Sequence, residues 1–309
     1  MITSYLLKYL PKNLSHILSC YDSFENSEEL RLRSGKKAIF FAEGREYVTE
    51  YITKKIEIEQ AVAALAEHSL YSVREDIAKG FFTVRGGVRI GVGGKAVTAG
   101  GRIVQIRDFT SLNIRFPREY RGSGTGVLPY ILRSGAPANT IILSPPQFGK
   151  TTLLRDVVRI LSSGENCMPR KCAVVDERGE ISGGGSFDVG DRTDVLLDCP
   201  KAEGMAIALR ALSPEVIATD EIGGDGDLAA IREIANCGIK LLATAHARDM
   251  TELSSRLFFR ELMETGVIER VIVLSGALGR GTVQAVLDGK WKNMLQKPFL
   301  ARSAEGENR

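Results

Sequence analysis

Lys150, Thr151 and Thr152 stand at the end of a turn that follows the buried-strand pattern TIIL (140–143). The turn reads Ser144, Pro145, Pro146, Gln147, Phe148, Gly149, and the helix-like LLRDVVRIL comes after the threonines. Strand, glycine-containing turn, lysine, two hydroxyls and helix, in that order, make a phosphate-binding loop. Backbone N–H groups of the turn and of the first helical turn point inward at an anion. Lys150 supplies a mobile positive charge for β- and γ-phosphates, and Thr151 offers a hydroxyl to Mg²⁺. Ser144 stands where the first glycine of such loops normally sits, which puts a side chain where the backbone must turn closely.

Three further apolar runs end in residues able to do chemistry. AVV (173–175) delivers Asp176 and Glu177, with Glu180 shortly after; VIAT (216–219) delivers Asp220 and Glu221; LLATA (241–245) delivers His246. A single acid at a strand end is commonly a turn former or helix cap. Three such endings after a phosphate loop point jointly to a nucleotide site, because open parallel sheets bind ligands at the carboxyl ends of their strands. Asp220 suits Mg²⁺ held through water, and Glu221 is placed to orient or deprotonate an attacking water. His246 is a candidate contact for the γ-phosphate. Asp176 and Glu177 form a competing pair of the same shape, so the base is Glu221 or Glu177. In this fold type the strand beside the phosphate loop is usually not the next one in sequence, which favours the later pair and leaves Glu177 and Glu180 flanking.

Phosphoryl transfer also calls for an arginine, often from a neighbouring subunit. Arg85 and Arg89 in VRGGVRIG (84–91) are candidates, as are Arg115 and Arg192. The run GGGS (183–186) reads as a flexible turn, and GGDGD (223–227) leaves the loop after Glu221 free to move.

The elements that must position these residues fall into two groups, as 309 residues lead one to expect. Residues 1–120 read as a smaller α+β domain. ELRLR (29–33) and KAIFFA (37–42) are strands, REYVTEYIT (45–53) a strand pair, 54–80 a helix, FFTVRGGVRIGVGGKAV (81–97) a hairpin continued by RIVQIRD (102–108), and 111–126 a linker. Residues 121–300 alternate strand and helix, with helices at VLPYILRSG (127–135) and ELSSRLFFRELMETG (252–266). Strands this apolar imply a mostly parallel sheet covered on both faces. Residues 301–309 read as a disordered tail.

Composition narrows the partners. Hydrophobic content is 44% and charged content 26%, and 41 basic residues face 38 acidic ones for a net charge of +3. That balance argues against capture of nucleic acid by the whole chain. Five cysteines without a CxxC pair read as reduced thiols of a cytosolic protein. No run reaches membrane-spanning length and the first residues lack a signal-peptide layout, so the chain reads as soluble and able to dock on a membrane complex.

These segments resemble the secretion-type ATPases of type II and type IV secretion and pilus retraction. VVDERGEI (174–181) resembles their acidic Asp box, and 208–247, ending in TAHA, resembles their continuous Walker B to His box stretch. ELRLRSGKKAIFFAEGREYVT (29–49) resembles the opening of their N-terminal domain. Within that superfamily PPQFGKTTLLRD, VVDERGE, DVLLDCPKAEGM and TDEIGG are similar to segments of the stage III sporulation AA family. The resemblance implies a RecA-like P-loop NTPase core and an ATP-hydrolysing, Mg²⁺-dependent motor. It further implies a homo-oligomeric ring, taken as a hexamer, in the mother-cell cytoplasm. The ring would dock on membrane-channel proteins and drive a secretion-like channel to the forespore. Other readings of the same core are a nucleic-acid translocase and an ATP-binding scaffold without turnover.

Overall fold

The computed structural model describes residues 2–66, 73–84, 87–117, 120–224 and 226–301. The chain divides into two compact units, Met1–Arg118 and Glu119–Arg309.

The first unit carries α1 (Ile2–Leu7), α2 (Lys12–Ser19), β1 (Ser27–Arg33), β2 (Lys37–Ala42), β3 (Arg45–Ile52), α3 (Lys55–Leu65), α4 (Arg74–Ala78), β4 (Phe81–Val84), β5 (Val88–Ala99) and β6 (Arg102–Arg115). Its six strands form one antiparallel sheet in the order β3-β2-β1-β6-β5-β4. Alternation decides which face is covered: Leu30 and Leu32 of β1 are buried between charged neighbours. Ile58, Ala61, Val62 and Leu65 recur at helical spacing along α3 and are buried in the same core.

Several expectations for this unit need correction. Residues 45–53 hold one strand, β3, because Arg45–Ile52 pair as a single run with β2. The helical pattern of 54–80 resolves into α3 and α4, with 67–72 outside the described residues. The expected linker begins inside β6, where Leu112 and Ile114 are buried opposite β1.

The second unit carries α5 (Leu128–Ile131), β7 (Leu132–Arg133), β8 (Ala136–Pro137), β9 (Thr140–Ser144), α6 (Lys150–Ser163), β10 (Cys172–Asp176), β11 (Thr193–Leu197), α7 (Lys201–Ala211), β12 (Val216–Thr219), α8 (Asp227–Asn236), β13 (Lys240–His246), α9 (Met250–Ser255), α10 (Leu257–Glu264), β14 (Arg270–Ser275), β15 (Thr282–Asp288) and β16 (Phe299–Leu300). Its main sheet runs β11-β10-β12-β13-β9-β14-β15-β16. The first six strands are parallel and the last two antiparallel. Ile142 of β9 packs with α5 and α6 on one face, whereas Ile141 and Leu143 pack with α7, α8, α9 and α10 on the other. A strand buried on both faces must be apolar at every position, hence the run TIIL.

The helix expected over 127–135 stops after one turn. Ser134 and Gly135 take positive φ (51° and 80°) and fold the rest into the β7–β8 hairpin. The closing helix is broken at Arg256, whose extended backbone separates α9 from α10. Ala301 is buried and its N–H donates to the Gly281 carbonyl; residues 302–309, where the disordered tail was expected, lie outside the described residues.

Candidate nucleotide site

The candidate phosphate loop leaves β9 at Ser144, the residue paired in register with His246 of β13. Ser144 is fully buried and its hydroxyl donates to the Pro145 carbonyl at 2.7 Å. Its φ is not left-handed; within the loop the positive values fall at Gln147 (68°) and Gly149 (90°). The first-position glycine is therefore dispensable for this backbone path, and the turn happens at Gly149, which a side chain would strain. α6 starts at Lys150 on Gly149 with no side-chain cap, so the N–H groups of its first turn remain for an anion. Thr151 and Thr152 are half-buried in that turn. Pro145 and Pro146 line a small cavity with His246 and Arg256, and Phe148 packs against Gly276.

Sheet order brings the other candidates to the loop. β13 lies beside β9, and β12 beside β13, while β10 is one strand further out. Lys150 is buried, its Nζ 3.0 Å from His246 Nε2 and 3.5 Å from Glu221 Oε1. His246 Nε2 is in turn 2.6 Å from Glu221 Oε1. A single imidazole nitrogen thus faces an ammonium donor and a carboxylate acceptor, and can accept from one or donate to the other according to its tautomer. Burial alone would raise the Glu221 carboxyl, but the hydrogen bond and charge of His246, with Lys150 and Arg178, hold it below the usual range.

Glu221 is held in an uncommon backbone state, φ 39°. Its N–H donates to the Thr244 hydroxyl at 2.9 Å, and the Ile222 N–H donates to the Thr244 carbonyl. Asp227 Oδ2 accepts from the N–H groups of Gly223 and Gly224, so these two glycines are tied and not free as their composition suggested.

Asp220 is buried at the end of β12, with Oδ1 unpartnered among the described residues. Burial, then the neighbouring charge of Asp176, pushes its pKa up to about 6. Asp176 is also buried, but its carboxylate accepts from the N–H groups of Ile181 and Ser182 and from the Ser182 hydroxyl. Glu177 pairs with Lys201 of α7. The two acidic pairs therefore differ: Glu221 touches Lys150 and His246, whereas Asp176 and Glu177 are taken up by their own loop and helix.

Of the arginine candidates, Arg85 lies outside the described residues, and Arg89 is exposed on β5 with its guanidinium 4.0 Å from the centre of the Phe81 ring. Arg115 pairs with Glu29, and Arg192 donates to the Ser162 carbonyl at the end of α6. Two arginines beside the site went unremarked in the sequence. Arg178 reaches Glu221 Oε2 at 3.3 Å, and Arg256 lines both cavities flanking His246. Arg178 sits inside VVDERGE, where only the acids drew notice; Arg256 marks the break between α9 and α10, which periodicity alone does not show.

A further residue ties the site together. Arg155 of α6 donates to the carbonyls of Glu180 and Ile181, and its guanidinium lies 3.8 Å from the Phe187 ring centre. The phosphate helix is thereby clamped to the loop after β10.

Compared with known proteins, the model for sporulation stage III, protein AA, matches residues 4–294. The chain belongs to this family. It is 35% identical over 299 residues to the stage III sporulation protein AA of Bacillus subtilis (strain 168), covering 94% of this chain and 97% of that one. An uncharacterized protein, ycf45, of Cyanidium caldarium is 31% identical over 189 residues, 59% of this chain and 54% of its own length. Among solved structures, the Legionella pneumophila ATPase DotB matches with a TM-score of 0.59 over 85% of this chain and 76% of that one, at 18% identity. The pilus retraction motor PilT with bound ADP matches at 0.58, over 83% and 77%, at 15% identity. At such identities the likeness is one of fold: this family member has the RecA-like fold of secretion ATPases.

Proposed function

We propose that the chain is a Mg²⁺-dependent ATPase whose hydrolysis drives a sporulation secretion apparatus. The observation that carries the reading is the meeting of Lys150, Glu221 and His246 at the carboxyl edge of β9, β12 and β13, directly over an uncapped helix N-terminus. A buried lysine held by a carboxylate and an imidazole has partners it can exchange for a phosphate oxygen. Glu221, released from Lys150, accepts the proton of a water aligned on the γ-phosphate. His246, bonded to both, senses whether Lys150 is engaged.

The residues present fit a Mg²⁺ ion. Asp220 Oδ1 is an orphaned buried acceptor, and an unpaired buried carboxylate of this kind is costly without a partner. Among the described residues no group of three or more His, Cys, Asp or Glu could hold a metal by itself. The Thr151 hydroxyl, and Asp220 through water, would hold the ion together with ATP oxygens. When bound it would neutralise charge on the β- and γ-phosphates.

Membership of the sporulation family supports action between mother cell and forespore. Likeness in fold to DotB and PilT supports a homo-oligomer, a hexameric ring in this reading, docked on membrane-channel proteins from the cytoplasmic side. Arg89 and Arg85 are its candidate trans arginines. Attachment in this reading is peripheral; among the described residues no helix is long and apolar enough to cross a membrane. Steady ATP turnover that requires Mg²⁺ and is abolished by Lys150→Ala is the expected result. Wild-type protein that binds ATP without turnover would leave an assembly scaffold in its place, and turnover dependent on DNA would turn the reading to a translocase.

A further inference from the structure

β5 and β6 are longer than the sheet that contains them. β4 pairs with β5 only over Val88–Gly91, and β1 pairs with β6 only over Ser111–Arg115. Beyond these, the two strands pair solely with each other, from Lys95 opposite Arg107 to Ala99 opposite Arg102. Gly100 and Gly101, at φ 57° and 77°, close the tip. The register shifts between Gly93 and Lys95, and nearby Asp108 takes φ 53°. Gly94 is required at this bulge, since a Cβ there would lie 2.6 Å from the Arg107 carbonyl oxygen. Bulges of this kind bend a ribbon and re-aim what lies beyond, so the arm is a built feature.

The arm's surface is unusual for this chain. Lys95, Arg102 and Arg107 are exposed, no acid falls within 94–107, and none of the three cations makes an ion pair among the described residues. Yet the whole chain has only three more basic than acidic residues. Near the tip Ile103 and Val104 are 49% and 39% exposed. A lone two-stranded ribbon gains little stability of its own, and its exposed aliphatic tip leaves apolar area in water that a partner could cover.

We infer that the arm over 94–107 docks on an anionic lipid surface, with Lys95, Arg102 and Arg107 against lipid phosphates and the aliphatic tip among the headgroups. An anionic leaflet attracts cations within a Debye length, and aliphatic side chains partition to the boundary between headgroup and acyl chain. The outer edges of the ribbon keep unpaired N–H and C=O groups, which confine it to the wet interface. Nucleic acid is the poorer fit: the arm has no aromatic residue for base stacking. A second copy is poorer too, because its identical cationic edge would be repelled.

The test uses the full chain and flotation with vesicles of phosphatidylcholine, with or without phosphatidylglycerol. Binding is expected only with the anionic lipid and should weaken with salt. Lys95→Glu/Arg102→Glu/Arg107→Glu should lower the bound-to-free ratio by about a hundredfold or more, each lost cation being worth about fivefold. Ile103→Ser/Val104→Ser should lower it severalfold with charge unchanged. Both variants should keep the wild-type circular dichroism spectrum and thermal midpoint, since the altered residues lie outside the core. Failure of the wild type to prefer anionic vesicles, or wild-type flotation by either variant, would overturn the inference. Arm-dependent retention of single-stranded DNA or arm-dependent self-association in place of vesicle binding would overturn it as well.

Discussion

Glu221 Oε1 lies 2.6 Å from His246 Nε2, and the same imidazole nitrogen lies 3.0 Å from Lys150 Nζ. Three residues from three consecutive sheet positions thus share one polar contact. The arrangement makes Lys150 and Glu221 alternative partners of one histidine, and it leads to distinct expectations for each.

Glu221→Gln keeps the shape of the side chain and removes the proposed base. ATP affinity should stay within a few-fold of wild type, while single-turnover hydrolysis should fall by about a hundredfold or more. Unchanged hydrolysis would dismiss Glu221 as the base, and a comparable loss in Glu177→Gln would move the role to that residue.

Asp220 predicts how stability of the protein free of nucleotide and metal depends on pH. Its folded pKa of about 6 lies above the ordinary aspartate value, so the folded chain binds this proton more tightly than the unfolded one. The contribution of Asp220 is therefore most favourable below about pH 4, declines as pH rises to about 6, and is level above. The full span is on the order of 2–3 kcal/mol. Asp220→Asn should raise the thermal midpoint near neutral pH and remove this part of the pH dependence, while Mg²⁺-supported turnover falls. A midpoint that drops in Asp220→Asn at pH 7.5 would contradict the account.

Arg155→Ala should cost about 2–4 kcal/mol in denaturant unfolding, because it strips two carbonyls of their donor and removes a guanidinium from the Phe187 ring. Arg155→Lys should recover only part of it, since a single ammonium cannot reproduce the planar fork. Full recovery by lysine would show that charge alone matters there.

Asn139 is a buried amide that joins strands distant in sequence. Its Nδ2 donates to the Val267 carbonyl at 2.9 Å and its Oδ1 accepts from the Leu241 N–H at 2.8 Å. Asn139→Ala should destabilise by about 2–3 kcal/mol, as two buried backbone groups lose their partners. A loss under half a kcal/mol in chemical denaturation would mean that those groups find water instead.

The strands that lead to Ser144, Asp176, Asp220 and His246 could be read directly, because a strand buried on both faces leaves an unbroken apolar run. β11 could not: it is an edge strand, TDVLL, half-exposed and without such a run. Helix ends were obscure for a related reason. Leu132 and Arg256 stop helices through extended backbone that no residue type demands. The site's polar wiring was the least visible part. Lys201 against Glu177 and Arg178 against Glu221 join residues far apart in the chain, and only the sheet order decides that they meet. Sequence placed the acids on one edge and favoured the later pair from the usual strand order alone; the contact of Glu221 with Lys150 is visible only in the fold.

Thr244 accepts the Glu221 N–H on its hydroxyl and the Ile222 N–H on its carbonyl, two residues before His246 on the same strand. Glu221 and His246 are therefore gauged from one length of backbone, like two marks on a single ruler. A sliding of β12 against β13 would not alter their spacing until the Thr244 contacts broke. In the proposed cycle Glu221 and His246 travel together, and Lys150, carried on α6, is the partner that comes and goes.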